Sequence, residues 1–160
     1  MKNNKILVFD MDGTIADLYN YPNWLDCILN EDEKPYRYAK PLVDMVKLRN
    51  ILIALKEYNW QIIVTSWLAK GATDRYNKAV VAAKEQWLLK QNFPFDNLFV
   101  VEYGQNKTKS TKNYGGYQIL IDDNASVRED WDLGSTIDAN SNFIEELIGI
   151  LKREVKNEST

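Results

Sequence analysis

Four short runs constrain the fold of this chain most: Ile6 to Phe9, Gln61 to Thr65, Leu98 to Val101 and Gln118 to Ile121. They are rich in Ile, Val, Leu and Phe and lack the apolar and polar alternation of a strand with one wet face. Strands of this kind belong in a parallel sheet covered on both sides. Ser135 to Asp138 is a candidate fifth. Helical patterns lie between the runs. Pro41 is placed at a first helical position, followed by Leu42, Met45, Val46, Leu48, Leu52 and Leu55 on one broad face. Thr73 is placed as the cap of a helix carrying Tyr76, Val80, Ala83 and Trp87 at three- and four-residue spacing. Phe143, Leu147, Ile150 or Leu151, and Val155 outline a last helix that dissolves into the polar "KNEST". The alternation predicts an α/β fold, a Rossmann-like doubly wound, mostly parallel sheet.

With 160 residues the chain fits one domain, 1–160, with one core. The stretch at about 17–40 breaks the rhythm. It is long for a strand-to-helix loop and holds Tyr19, Tyr21, Trp24, Tyr36 and Tyr38 among acids and prolines, which suits a small helical cap. Its aromatics either form the cap's own core or, with Trp67, stack on a planar leaving group such as a nucleobase.

A net charge of -3 gives no positive field to gather DNA or RNA, so nucleic acid is not the expected partner. The single cysteine, Cys27, makes no internal disulfide and has no basic neighbour to activate it. No run is long and apolar enough to span a bilayer, and the apolar run after Lys5 is too short for a signal peptide, so a cytoplasmic location is expected. The chain has no histidine. Imidazole bases, Ser-His-Asp hydrolysis and histidine-bearing zinc sites are thereby excluded, leaving carboxylates, lysines, hydroxyls or an oxygen-bound metal for any catalysis.

In open α/β sheets ligands bind at the carboxyl ends of the strands. Asp10 and Asp12 follow the first run, Thr65 and Ser66 end the second, and Asp122 and Asp123 follow the fourth. Glu102, Lys107, Lys109 and Lys112 lie between the third and fourth. Four carboxylates drawn to one edge repel one another unless a cation joins them. Hard oxygen ligands suit Mg²⁺, and a lysine with two hydroxyls beside it would complement a phosphate. An EF-hand calcium loop at "DMDG" is not the expected reading, because that pattern needs further oxygen ligands and a glutamate where this chain has Tyr21.

"FDMDGT", "IVTSW", a downstream lysine and "ILIDDN", in that order from Ile6 to about Trp131, resemble the four motifs of the haloacid dehalogenase superfamily of phosphohydrolases. The resemblance implies Asp10 as the nucleophile that becomes an aspartyl-phosphate and Asp12 as general acid and then general base. It implies Mg²⁺ held by Asp10, the backbone carbonyl of Asp12, Asp123 directly and Asp122 more remotely. Thr65, with Ser66 beside it, resembles the hydroxyl position that holds the phosphoryl group, and Gly13 would let the first turn close around it. Lys107 is favoured as the phosphate lysine, ahead of Lys109 and Lys112.

"DMDGTIADL", "VTS" and "LIDD" look most similar to the deoxyribonucleotidase branch, although the insert is shorter than in that branch. The implied activity is a phosphomonoesterase acting on a small phosphorylated substrate, a nucleoside monophosphate first. Two competitors stand: a phosphatase of nucleic-acid 3'-ends, and a phosphate- or nucleotide-binding protein without turnover.

Overall fold

The structure, a computed structural model, describes residues 3–160. β1 (Lys5–Phe9), β2 (Trp60–Trp67), β3 (Asn97–Val101), β4 (Tyr117–Asp122) and β5 (Gly134–Asp138) form one sheet in the order β3-β2-β1-β4-β5. Every pairing is parallel, and Phe9 lies opposite Val64 on one side and Ile121 on the other. Each expected strand falls within an observed one.

β1 takes the centre because it can bury both of its faces: Ile6, Leu7, Val8 and Phe9 are all fully enclosed. Successive side chains point to opposite faces of a strand. Leu7 and Phe9 therefore join a large core with α3 (Met45–Glu57) and α7 (Phe143–Glu158), to which α4 (Asp74–Lys90) adds Trp87 and Leu88. Phe9 meets Phe93 and Phe143 edge to face, with ring centroids at 5.3 and 6.4 Å. Ile6 and Val8 join a smaller cluster with Ile63, Leu120 and Trp131 on the other face.

α3 carries the chain from β1 to β2, and α4 carries it from β2 to β3. The chain then returns past β1 through α5 (Thr108–Thr111) to β4, and α6 (Ala125–Glu129) leads to β5. Winding reverses between β1 and β4, the crevice where such sheets bind ligands.

Two helix boundaries differ from expectation. α3 starts at Met45, not Pro41, and Asp44 caps it by accepting from the Lys47 N–H at 3.0 Å. Residues 39–42 are diverted beforehand, because the Asp17 N–H donates to the Lys40 carbonyl and the Leu42 N–H to the Ile15 carbonyl. That pairing holds Pro41 beside Ala16 and leaves Leu42 exposed. α7 continues through Glu158, one turn into the polar tail. Thr73 caps α4 as expected, accepting from the Tyr76 N–H at 3.2 Å.

Between β1 and α3 the chain forms a 3-10 turn (Leu18–Asn20), α1 (Trp24–Leu29) and α2 (Lys34–Tyr38). These short elements lack a core of their own and pack on α4, where Leu18 and Tyr36 meet Tyr76, Val80 and Ala83. Polar contacts fix them there. Trp87 Nε1 donates to the Ala39 carbonyl at 2.7 Å, the Tyr76 hydroxyl to the Asp32 carbonyl at 3.0 Å, and Thr73 Oγ1 to Glu31 at 2.6 Å. Among the described residues, no helix is long and apolar enough to cross a membrane.

Candidate active site

β1 ends at Phe9, and the Asp10 N–H still pairs with the Ile121 carbonyl of β4 at 2.9 Å. The strand pairing thereby fixes where Asp10 stands. The chain then turns tightly, with the Met11 carbonyl accepting from the N–H groups of Thr14, Ile15 and Ala16. Gly13 has φ +80°, and a Cβ there would lie 2.5 Å from Asp123 Oδ2 and 2.9 Å from the Tyr19 ring. Only glycine lets the turn come this close to the second acid of the β4 end. The turn also aims Thr14 back, so that its hydroxyl donates to Asp10 Oδ2 at 2.9 Å.

β4 delivers Asp122 as its last residue. Lys107 Nζ, almost wholly buried, bridges the two strand ends, donating to Asp10 Oδ1 at 2.6 Å and Asp122 Oδ2 at 2.8 Å. It also lies 5.3 Å from the Trp67 ring centroid. Lys109 and Lys112 are solvent-exposed. Of the three lysines considered, Lys107 is the one the turn after β3 buries among the acids, whereas Glu102 is exposed. Asp122 Oδ1 accepts from the Asn124 N–H at 2.9 Å, so both of its oxygens are engaged.

Asp10, Asp122 and Asp123 each offer an oxygen within 4.8 Å of the others. Burial, and then the charge of Asp10, push the Asp122 carboxyl up to about 6 and that of Asp123 up to about 7. Burial alone would lower Lys107, but Asp10 and Asp122 together carry it above the ordinary lysine value. One ammonium thus bridges two of the three clustered acids, and among the described residues Asp123 pairs with no cation. A hard divalent cation would relieve what remains, and an all-oxygen donor set suits Mg²⁺.

Asp12 departs from the expected convergence of four carboxylates. Its side chain turns away from the other three and its Oδ2 accepts from Lys84 Nζ at 2.6 Å. The backbone explains this, since Asp12 lies in the tight turn and bridges to Ala16 while α4 passes alongside. Burial pushes the Asp12 carboxyl up, with Lys84 opposing in part. Ser66 accepts from the same ammonium at 2.6 Å. Thr65 is fully enclosed, and its hydroxyl has no partner among the described residues. It stands one residue beyond Val64, the register partner of Phe9, and so level with Asp10.

A cavity of about 410 Å³ opens over these groups, lined by Asp10, Asp12, Ser66, Lys107, Asp122 and Asp123 at its floor. Its walls are Leu18, Tyr19, Trp24, Leu25, Ile28 and Tyr36 from the insert, faced by Trp67, Leu68 and Tyr103. Tyr19 packs edge to face on Trp24 at 5.1 Å, and Trp67 tilts against Tyr103 at 5.2 Å. The aromatics of the insert therefore divide. Tyr36 packs into the hydrophobic cluster under the insert while also reaching the cavity, Tyr19 and Trp24 form a wall, and Tyr21 and Tyr38 do not line it. No pattern in the sequence singles out Thr14, Lys84 or Tyr103.

Among solved structures, a crystal structure of D,D-heptose 1,7-bisphosphate phosphatase from Burkholderia thailandensis superposes with a TM-score of 0.53, covering 91% of this chain and 99% of that one. The chain has a haloacid dehalogenase-like fold. Identity to that protein is 10%, so the likeness extends to architecture and not to substrate. No protein-family model matches the sequence, and no curated protein does.

Proposed function

We propose that this chain is a Mg²⁺-dependent phosphomonoesterase that works through an aspartyl-phosphate. The observation that carries the reading is the ammonium of Lys107 shared by Asp10 and Asp122, with Asp123 beside them, at the floor of a cavity large enough for a small ester. Asp10, Asp123 and the backbone carbonyl of Asp12 would hold the metal, with Asp122 anchoring Lys107 behind them. When bound, Mg²⁺ offsets the charge of the acids and of the phosphate's oxygens.

Asp10 attacks phosphorus, forming one P–O bond as the ester P–O bond breaks. Asp12 passes its proton to the departing oxygen, a role helped by the upward push that burial gives its carboxyl. The resulting Asp12 carboxylate then takes a proton from water as that water attacks phosphorus, and the bond to Asp10 breaks to release phosphate. Lys107 balances charge at Asp10 through both steps. The Ser66 hydroxyl on the cavity floor and the turn at Gly13, which packs on Asp123, would border the phosphoryl group, whereas the enclosed Thr65 hydroxyl lies outside the cavity lining.

For the leaving group we favour a nucleoside. Tyr19, Trp24, Trp67 and Tyr103 offer flat apolar faces, suited to stacking a base. Among the described residues, the lysines lining the cavity are Lys107, committed to its acids, and Lys70. A second phosphate, such as a sugar bisphosphate carries, would find one cation there at most. In this reading residues 17–40 act as the cap that selects the substrate.

Phosphate release should be measured on ribo- and deoxyribonucleoside monophosphates, a sugar bisphosphate and a 3'-phosphorylated oligonucleotide, with Mg²⁺ or chelator. Metal-dependent release strongest on a nucleoside monophosphate is expected. Preference for the oligonucleotide, or ligand binding with no release, would overturn the proposal in favour of an end-processing enzyme or a binding protein.

A further inference from the structure

Lys84 has no part in the chemistry above, yet it is the most completely buried charge in the site. It sits on α4 beside a run of apolar residues, between Val80 and Trp87, and is 0% exposed. Its ammonium has three acceptors: Asp12 Oδ2 at 2.6 Å, Ser66 Oγ at 2.6 Å and the Trp67 carbonyl at 2.9 Å. The Tyr36 ring closes the fourth side, 4.7 Å away at its centroid. A methionine would fill this volume without the cost of drying an ammonium, and buried ion pairs are a weak source of stability. The position therefore calls for a role other than filling space.

We propose that Lys84 is a positioning residue that holds Asp12 as a separate acid-base group, apart from the Asp10, Asp122 and Asp123 cluster. The inference rests on the phosphatase reading. The hydrogen bond from Lys84 goes to Asp12 Oδ2, and Asp12 lines the cavity. One oxygen is thereby fixed and the other is left for the departing or attacking oxygen of the substrate. Without the ammonium, nothing among the described residues would hold this carboxylate at its present angle. The same ammonium donates to Ser66, which turns the serine's own hydrogen elsewhere and makes it available as a donor on the cavity floor. Through Tyr36 and the Trp67 carbonyl, the insert and the β2 end meet at this one charge, so its placement is built into the fold.

The test compares an alkyl monophosphate, whose departing oxygen needs a proton, with p-nitrophenyl phosphate, whose departing oxygen does not. For Lys84→Met, kcat on the alkyl ester is expected to fall about 10²-fold, the range of general acid catalysis. On the aryl ester the same variant should release about one equivalent of nitrophenolate in a fast burst and then turn over slowly, because water activation still needs a placed Asp12. Lys84→Gln, which keeps a donor, should recover part of the loss. Equal losses on both esters without a burst, or no loss at all, would overturn the proposal. So would failure of both variants to fold, which would make Lys84 a lysine of the fold alone. Wild-type protein inactive on both esters with Mg²⁺ would instead contradict the phosphatase reading.

Discussion

Two buried lysines divide the acids of this site, and they do so differently. Lys107 comes from a loop and joins two strand ends, Asp10 and Asp122, in a cluster that still holds more negative charge than it can balance. Lys84 comes from the middle of a long helix and meets a single carboxylate, Asp12, with a hydroxyl and a carbonyl completing its shell. The first arrangement leaves a place for another cation; the second is complete as it stands. Carboxylates two residues apart in sequence are thereby given different environments, which is how one site can hold both a nucleophile and an acid.

The largest effect that would break this contrast is expected from Lys107→Met. Removing one partner of a buried ion pair costs about 3–5 kcal/mol. The variant should melt well below wild type by calorimetry, and its turnover should fall by about 10²-fold or more, as a charge clamp on the reacting group is lost. Mg²⁺ should restore much of the melting temperature of Lys107→Met, because it replaces the missing cation, and little of that of Lys84→Met. Equal rescue of both would show that the two centres are not distinct.

Gly13→Ala comes next. Its methyl would enter the space of Asp123 Oδ2 and the Tyr19 ring at a backbone angle costing about 1–2 kcal/mol by itself. Mg²⁺ affinity, followed by titration calorimetry, should weaken while the Asp12 and Lys84 pair is undisturbed.

The pH dependence of metal stabilisation is a subtler test. Asp122 at about 6 and Asp123 at about 7 lie above the unfolded carboxylate value of 3.8, so the folded protein binds more protons than the unfolded chain in that interval. Their contribution to stability is fully present below the unfolded value and is lost as pH rises through the folded values. Metal-free protein should therefore lose stability from these groups between about pH 4 and 7. Because Mg²⁺ needs the ionised acids, its stabilisation should be larger at pH 8 than at pH 5, on the order of 5–10 °C at saturating metal. A pH-independent shift would place the metal elsewhere.

Thr73→Ala should have the smallest effect. It removes the α4 cap and the Glu31 contact, costing about 1 kcal/mol. Thermal stability should fall slightly, while kcat per folded molecule stays unchanged, because α4 holds Lys84 three turns further along.

The sheet was legible because buried parallel strands need apolar residues on both faces, and runs such as "ILVF" have no other place to go. Asp10 and Asp122 were legible for a related reason, since charge cannot continue such a run and so marks where it ends. Lys84 was not, although a lysine three residues before Trp87 and four after Val80 is a charge close to an apolar stripe. A helical pattern gives the direction of a side chain but not the acid it will meet from a distant turn. Thr14 is similar, as only the folded turn aims its hydroxyl at Asp10. The start of α3 depended on tertiary pairing: Pro41 suits a first helical position, but the strand-like contact of residues 39–42 with 15–17 claims it first.

In the proposed mechanism Asp10 is the nucleophile of a metal-dependent phosphatase, so phosphate release should be compared between wild type and Asp10→Asn, with Mg²⁺ or chelator. Metal-dependent release is expected in the wild type, with a loss of at least about 10³-fold in an Asp10→Asn protein that remains folded. Release that persists in Asp10→Asn, or that ignores the chelator, would contradict that mechanism.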